Sequence, residues 1–209
     1  MILSSKAIVL NKLNYGNSSL ICNLFTADQG KISIIAKGAR SKKNIHSAVL
    51  QPTNLIELIY YYKENRNIQT LKEANIINNF QNLHESYDKL LCSLVIVDII
   101  NKISLQNNPC EIIFRLTEKT IEKINFTEDK NIKIYYIFFQ FQLLIYLGYQ
   151  PSFSFCYKCN KSVLEGYYNS SAGQFECSKC VLNIKYLMNK DMLQMVHCFM
   201  KTHIDKLVE

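Results

Sequence analysis

No stretch of this 209-residue sequence is long and apolar enough to cross a bilayer. The most apolar segment, IYYIFFQFQLLIYLGY at 134–149, is interrupted by Gln140 and Gln142 and falls short of the ~20 residues a spanning helix requires, so it reads as a buried core helix. The N-terminus, MILSSKAIVLNKL, lacks the unbroken apolar run of a secretory signal because Lys6, Asn11 and Lys12 interrupt it, which points to the cytoplasm. Glycine and proline are scarce, at 6 and 3 residues. With 48% hydrophobic and 20% charged residues, the composition excludes a disordered chain and leaves room for one large domain or two small ones. The catalytic signatures GxxxxGK[ST], HExxH and GxSxG are missing, as are carboxylates at telling spacing, so the expectation is a protein that is not an enzyme. His46, His84, His197 and His203 show no ligand spacing relative to one another.

Cysteine, by contrast, is plentiful. Four of the eight stand in CYKCNKSVLEGYYNSSAGQFECSKC, residues 156–180, giving C-x2-C-x17-C-x2-C, the spacing of a zinc ribbon. A reducing cytosol disfavours disulfides. Four soft thiolates fill a tetrahedral shell and leave no position for water or substrate, so Cys156, Cys159, Cys177 and Cys180 read as ligands of one structural Zn2+ per chain. Disulfides, an empty site and a redox centre are the alternatives. The redox reading wants a pair between a buried strand and a helix N-terminus, whereas Cys156 follows Pro151–Phe155 and leads into a Lys/Asn/Ser loop. The isolated Cys22, Cys92, Cys110 and Cys198 are expected as buried core thiols.

The first 80 residues have strand character. KAIVLNKL, SLICNLFT, GKISIIAKG, NLIELIYYYKE and IQTLKEA are short, rich in β-branched and aromatic residues, and separated by turn residues at Asn14–Asn17 and Asp28–Gly30. Five such strands suggest a small barrel, of the OB type first and of an SH3-like type second. After Phe80 the period changes: Leu83, Tyr87, Leu90, Leu91, Leu94, Val97 and Ile100 mark an amphipathic helix. Pro109 is placed to open the next helix and Gly148 to end the apolar one, and a last helix is expected over Asp191–Leu207. The fold class is therefore α+β, with a barrel over 1–79 and a helical part over 80–209 that carries the cysteine insertion at 153–182.

Charge separates the same two parts. Residues 1–80 hold ten Lys/Arg against four Asp/Glu, net +6, and residues 81–209 fourteen against thirteen, net +1. The cations concentrate at Lys31, Lys37, Arg40, Lys42 and Lys43, with no acid between Asp28 and Glu57, as a phosphate-facing strand and loop would. A merely solvated loop is the other reading. Tyr60, Tyr61 and Tyr62 offer a base-stacking platform, although a run of three must point to both strand faces and place at least one in the core.

The run NSSLICNLFTADQGKISIIAKGARSKK, then LQP at 50–52, TLKEA, FQFQLLIYLGYQP and the paired CxxC motifs, in that order, resemble the RecO family of bacterial recombination mediators over nearly the whole chain. The resemblance implies an N-terminal OB-fold joined to a helical domain with an inserted zinc finger. It further implies binding of single- and double-stranded DNA, annealing of complementary strands, and, with RecR, loading of RecA onto DNA coated by single-strand binding protein (SSB), in the nucleoid. By position, Lys37, Arg40, Lys42 and Lys43 match the family's basic stretch and the four cysteines its zinc ligands. Ile137 and Phe138 stand where members often carry an arginine implicated in gripping the SSB tail. The residues alone do not separate this from an RNA-binding barrel-and-ribbon protein of the translation or transcription machinery.

Overall fold

The computed structural model describes residues 1–41, 46–149, 152–182 and 186–207. Its first five strands are β1 (Ile2–Tyr15), β2 (Ser19–Thr26), β3 (Gly30–Ala36), β4 (Leu55–Tyr61) and β5 (Ile68–Asn78), with a short helix α1 (His46–Val49) between β3 and β4. They close into a barrel in the order β1-β2-β3-β5-β4. All pairs are antiparallel except β3–β5, where Ser33 to Ile35 run parallel to Ile68 to Thr70. This is the OB arrangement, and it sets the SH3-like alternative aside.

Strand β1 is long because it serves two neighbours. Its first half pairs with β4, from Ile2 opposite Tyr61 to Ile8 opposite Leu55, and its second half pairs with β2. A shift in register between Val9 and Asn11 bends the strand where it changes partner. The alternation of β3 explains its side of the barrel: Ile32, Ile34 and Ala36 are buried, while Lys31, Ser33 and Ile35 point outward. With Ala7, Val9, Leu20, Cys22, Leu24, Ile56, Leu58 and Tyr60 they make one apolar core. Each large apolar side chain buried there stabilises by about 1.5–3 kcal/mol.

Three helices follow: α2 (Tyr87–Ile103), α3 (Glu111–Phe126) and α4 (Ile132–Tyr146). The Ser86 side chain caps α2 by accepting from the Lys89 N–H. The buried face of α2 is Ser93, Ile96, Val97 and Ile100, whereas Tyr87, Leu91 and Leu94 of the expected stripe are exposed. The stretch LLCSLVIVDII is apolar nearly all round, so its period does not specify which side turns inward. Pro109 stands one residue ahead of Cys110, the N-cap of α3, and so precedes the helix rather than opening it. Behind α2 the chain returns to the barrel, where the Asn107 N–H donates to the Lys31 carbonyl. Gly30 is required at this approach: its φ is +68°, and an added Cβ would lie 2.2 Å from the Asn108 carbonyl oxygen.

The chain divides into two compact units, Met1–Tyr136 and Ile137–Glu209. In the second, Gly148 (φ 86°) ends α4, with its N–H on Ile145 and that of Tyr149 on Leu144. A three-stranded sheet in the order β7-β6-β8 follows, built from β6 (Gly166–Asn169), β7 (Gln174–Glu176) and β8 (Tyr186–Met188). The last helix, α5 (Lys190–Lys201), stops at Thr202, short of the expected Leu207, because Thr202 and His203 adopt extended backbone before a 3-10 turn at Ile204–Lys206. Phe153, Phe175, Leu193 and Val196 form the core of this unit. Gln142, which sequence marks as a polar break in the apolar helix, is buried and donates to the Phe199 carbonyl at 2.7 Å. The expected core helix nevertheless leaves Leu144, Tyr146 and Leu147 exposed. Among the described residues no helix is long and apolar enough to cross a membrane.

Candidate nucleic-acid interface and metal centre

The outer face of the barrel is divided. Cross-strand partners share a face, so Asn23 and Ser33, which are paired, lie side by side on the outside. There they meet the end of α2: Asn23 bonds Asn101 at 3.5 Å, and Gln106 bonds Ser33 at 3.3 Å. Lys31 belongs to this covered half, its Nζ donating to the Asn101 carbonyl near the C-terminus of α2.

Toward the β1–β2 turn the same face is open. Leu13 pairs with Ile21 and Ile21 with Ile35, and Tyr15 pairs with Ser19. Leu13 and Tyr15 are exposed, and Lys37, two residues beyond Ile35, is exposed beside them. Arg40 fastens this end. Its backbone N–H donates to Ser18 at 2.8 Å, while Nε reaches the Ser19 carbonyl at 3.2 Å and Nη2 the Gly16 carbonyl. Two donors of the guanidinium therefore hold the hairpin. Lys42 and Lys43 lie outside the described residues. Aromatic, aliphatic and cationic side chains thus share one open surface of the kind that OB barrels use for oligonucleotides.

The tyrosine run separates as its alternation requires. Tyr60 is in the barrel core, Tyr61 is exposed and Tyr62 packs partly against the core. Sequence reading overlooked Leu13 and Tyr15 because it ended the first strand at Leu13 and took the residues after it as a turn; carrying the strand's alternation two residues further would have found them.

In the second unit the four paired cysteines converge. The sulfurs of Cys156, Cys159, Cys177 and Cys180 all lie within 4.8 Å of one another and can hold a metal ion. All are free thiols, and the Cys159 and Cys177 sulfurs are 3.8 Å apart, far beyond a disulfide bond. Each Cys-x-x-Cys pair forms a tight turn, closed by Asn160 N–H to Cys156 at 2.7 Å and by Cys180 N–H to Cys177 at 3.0 Å. Burial pushes the Cys156 thiol up, but the N–H groups of Cys177, Cys159 and Lys158 aim at its sulfur and bring it down to about 6. Hydrogen bonding to the Cys177 and Cys159 sulfurs pushes Cys180 up to about 12.

A buried carboxylate stands beside the cluster. Glu176 accepts from Asn169 Nδ2 at 2.6 Å and lies 3.5 Å from Lys158 Nζ, which also donates to the Cys180 carbonyl. Lys158 belongs to the first cysteine turn and its partners to the second, so the pair ties the turns together. Gly166 lets β6 pass this close, since a Cβ there would sit 2.4 Å from the Glu176 carbonyl oxygen. Of the remaining cysteines, Cys22 meets the expectation of a buried core thiol and the other three depart from it. Cys22 is buried, Cys92 and Cys110 are half-buried, and Cys198, near the end of α5, is exposed with its sulfur 3.2 Å from the Thr202 hydroxyl.

Two family models match the chain consecutively. The first, described as recombination protein O N terminal, covers residues 1–80, and the second, recombination protein O C terminal, covers 84–186. The chain belongs to the recombination protein O family. Its relatives in that family include the DNA repair protein RecO of Salinibacter ruber, 32% identical over 151 residues, which cover 72% of this chain and 58% of the relative. The DNA repair protein RecO of Acetivibrio thermocellus is 28% identical over 184 residues, 88% of this chain and 72% of the relative. The RecO protein of Caldanaerobacter subterraneus is 26% identical over 209 residues, 98% of this chain and 83% of the relative. The chain thus spans less than two thirds of the Salinibacter relative. The boundary between the two models follows the barrel, and the second contains all four clustered cysteines.

Proposed function

We propose that this chain is a DNA repair and recombination mediator that binds single- and double-stranded DNA on its barrel and anneals complementary strands. The observation that carries this reading is the open half of the barrel's outer face, where Lys37 and Arg40 border Leu13 and Tyr15. Membership of the recombination protein O family supports it, as does the net charge of +6 in residues 1–80. Family resemblance also supports RecR as a direct partner and a role in placing RecA on SSB-coated strands. The chain acts by holding polyanions together, with no covalent step assigned to it.

The metal in this reading is one structural Zn2+. A tetrahedron with Zn–S bonds of ~2.3 Å has edges of roughly 3.8 Å, which is the separation of the Cys159 and Cys177 sulfurs. Elemental analysis of protein prepared without chelator should find one zinc per chain, and finding none overturns this part.

The DNA reading is tested by salt. If Lys37, Arg40, Lys42 and Lys43 each neutralise one phosphate, single-strand affinity falls with a log-log slope of about −3, a loss of roughly 50-fold between 50 and 200 mM salt. Lys37→Ala should flatten the slope by about 0.7 on every sequence, since phosphate contacts position without specifying. Matched DNA and RNA strands and a strand-annealing assay complete the test. Preference for RNA with no annealing would sink the mediator reading, and so would isolation from cells with ribosomal or transcription components alone.

A further inference from the structure

A cavity of about 660 Å³ opens in the second unit beside the cysteine turns, within the ~300–1,000 Å³ range of ligand sites. Four aromatic rings, Tyr149, Phe155, Tyr157 and Tyr168, wall it, and the amides of Asn160 and Gln174 edge it. Among the described residues that line it none is Lys, Arg, His, Asp or Glu, and Cys156 of the metal cluster forms part of its wall. We propose that this cavity takes an unpaired base of single-stranded DNA, stacked on the rings and bonded at its edge by the amides. The proposal rests on the DNA-binding reading and extends it to a site in the second unit.

Rings on either side of Cys156 in the chain make the site, beside a buried one. Phe153 is buried and packs on Tyr168 and Phe175, with ring centroids 6.1 and 6.2 Å apart. Phe155 and Tyr157, which flank buried Cys156 in the chain, are 49% and 42% exposed. Their backbone is fixed: Phe155 bridges Ser162, and the Tyr157 N–H donates to the Phe175 carbonyl at 2.9 Å. The left-handed turn at Gly148 presents Tyr149, 67% exposed, from the end of α4. Such rings are preorganised, so stacking on them costs little ordering.

The lining also selects among ligands. A free nucleotide would bring phosphates into a cavity without a cation, whereas a base on a strand leaves its phosphates outside. The rim suits them there: exposed Lys161 follows Asn160 in the chain, and Lys158, though paired with Glu176, stands 5.8 Å from the centre of the Tyr157 ring. Asn and Gln amides supply both donor and acceptor to a base edge. A duplex, with its bases stacked and paired, cannot enter.

The test uses the full, metal-loaded chain. An oligothymidylate carrying one 5-iodouracil is irradiated in complex with it, and adducts are mapped; they are expected at Tyr149, Phe155 or Tyr157, and adducts confined to the barrel overturn the proposal. In parallel, Phe155→Ala with Tyr157→Ala should weaken single-strand affinity by at least roughly 5-fold, since loss of one stacking ring costs about 5- to 150-fold. Duplex affinity and the single-strand salt slope should stay as they were. Equal losses on duplex and single strand, or no loss on either, overturn the assignment. If the double variant fails to retain its metal, the cross-link on the unaltered chain decides. If the unaltered chain retains no oligonucleotide at all, the DNA reading itself falls, whereas binding that survives without these adducts removes only the cavity.

Discussion

Two buried side chains in the barrel carry polar groups that the core does not use. Tyr60 is enclosed, and its hydroxyl has no hydrogen-bond partner among the described residues. An unpaired buried hydroxyl costs about 1–3 kcal/mol, so Tyr60→Phe should raise the melting temperature of the barrel without changing DNA affinity; a lower melting temperature would show that the hydroxyl is paired. Cys22 is held up to about 11 by burial, against the opposing charge of Lys12. A thiol raised in the fold contributes its full stability below the ordinary thiol value near 9 and loses it as pH rises through about 11. Thermal melts should therefore show an alkaline decline across that window that is smaller in Cys22→Ala, and an identical decline would exclude Cys22 as its source. At neutral pH, a thiol reagent should label exposed Cys198 well before Cys22.

At the level of elements, sequence was most informative where one face is buried. Strand β2 and the start of β3 fall where alternation places them, because a shift of one residue would turn Ile32, Ile34 and Ala36 into solvent. Helix α2 was legible as a helix but not as a face, since nearly every side is apolar. The cysteine cluster was legible because metal ligation demands spacing within the sequence itself. The open face proposed for DNA was only half legible: cations announce themselves in the chain, whereas Lys31 is diverted to Asn101 by a helix 70 residues away. Arg40 sits between these cases. Arg40→Lys keeps the charge but loses the fork that spans the Gly16 and Ser19 carbonyls. The expected outcome is weaker single-strand binding at unchanged salt slope, since the charge is kept while the hairpin loosens; unchanged affinity would mean that the fork does not hold the binding face.

For the whole molecule, the two compact units answer to different forces. The barrel is stabilised by apolar burial, whereas the sheet of β6, β7 and β8 has a core of only a few side chains and leans on the cysteine turns. Chelation, or Cys177→Ser, should lower the melting temperature of the second unit and leave the barrel transition in place. Calorimetry or hydrogen exchange resolved by segment checks this, and uniform loss of protection across residues 1–79 would show that the metal supports the barrel as well.

The pairing of β1 with β4 also bears on how the chain is made. Ile2 meets Tyr61, and the parallel closure needs Ile68–Thr70, so β1, once made, waits for nearly the last part of the barrel. At 5–20 residues per second that interval is roughly 3–12 s. Throughout it, Ala7, Ile8, Val9 and Leu10, later fully enclosed, have only the β2 hairpin to lie against. The nascent chain should accordingly engage a holding chaperone until about residue 78 has cleared the exit tunnel, and translation slowed before that point should increase aggregation.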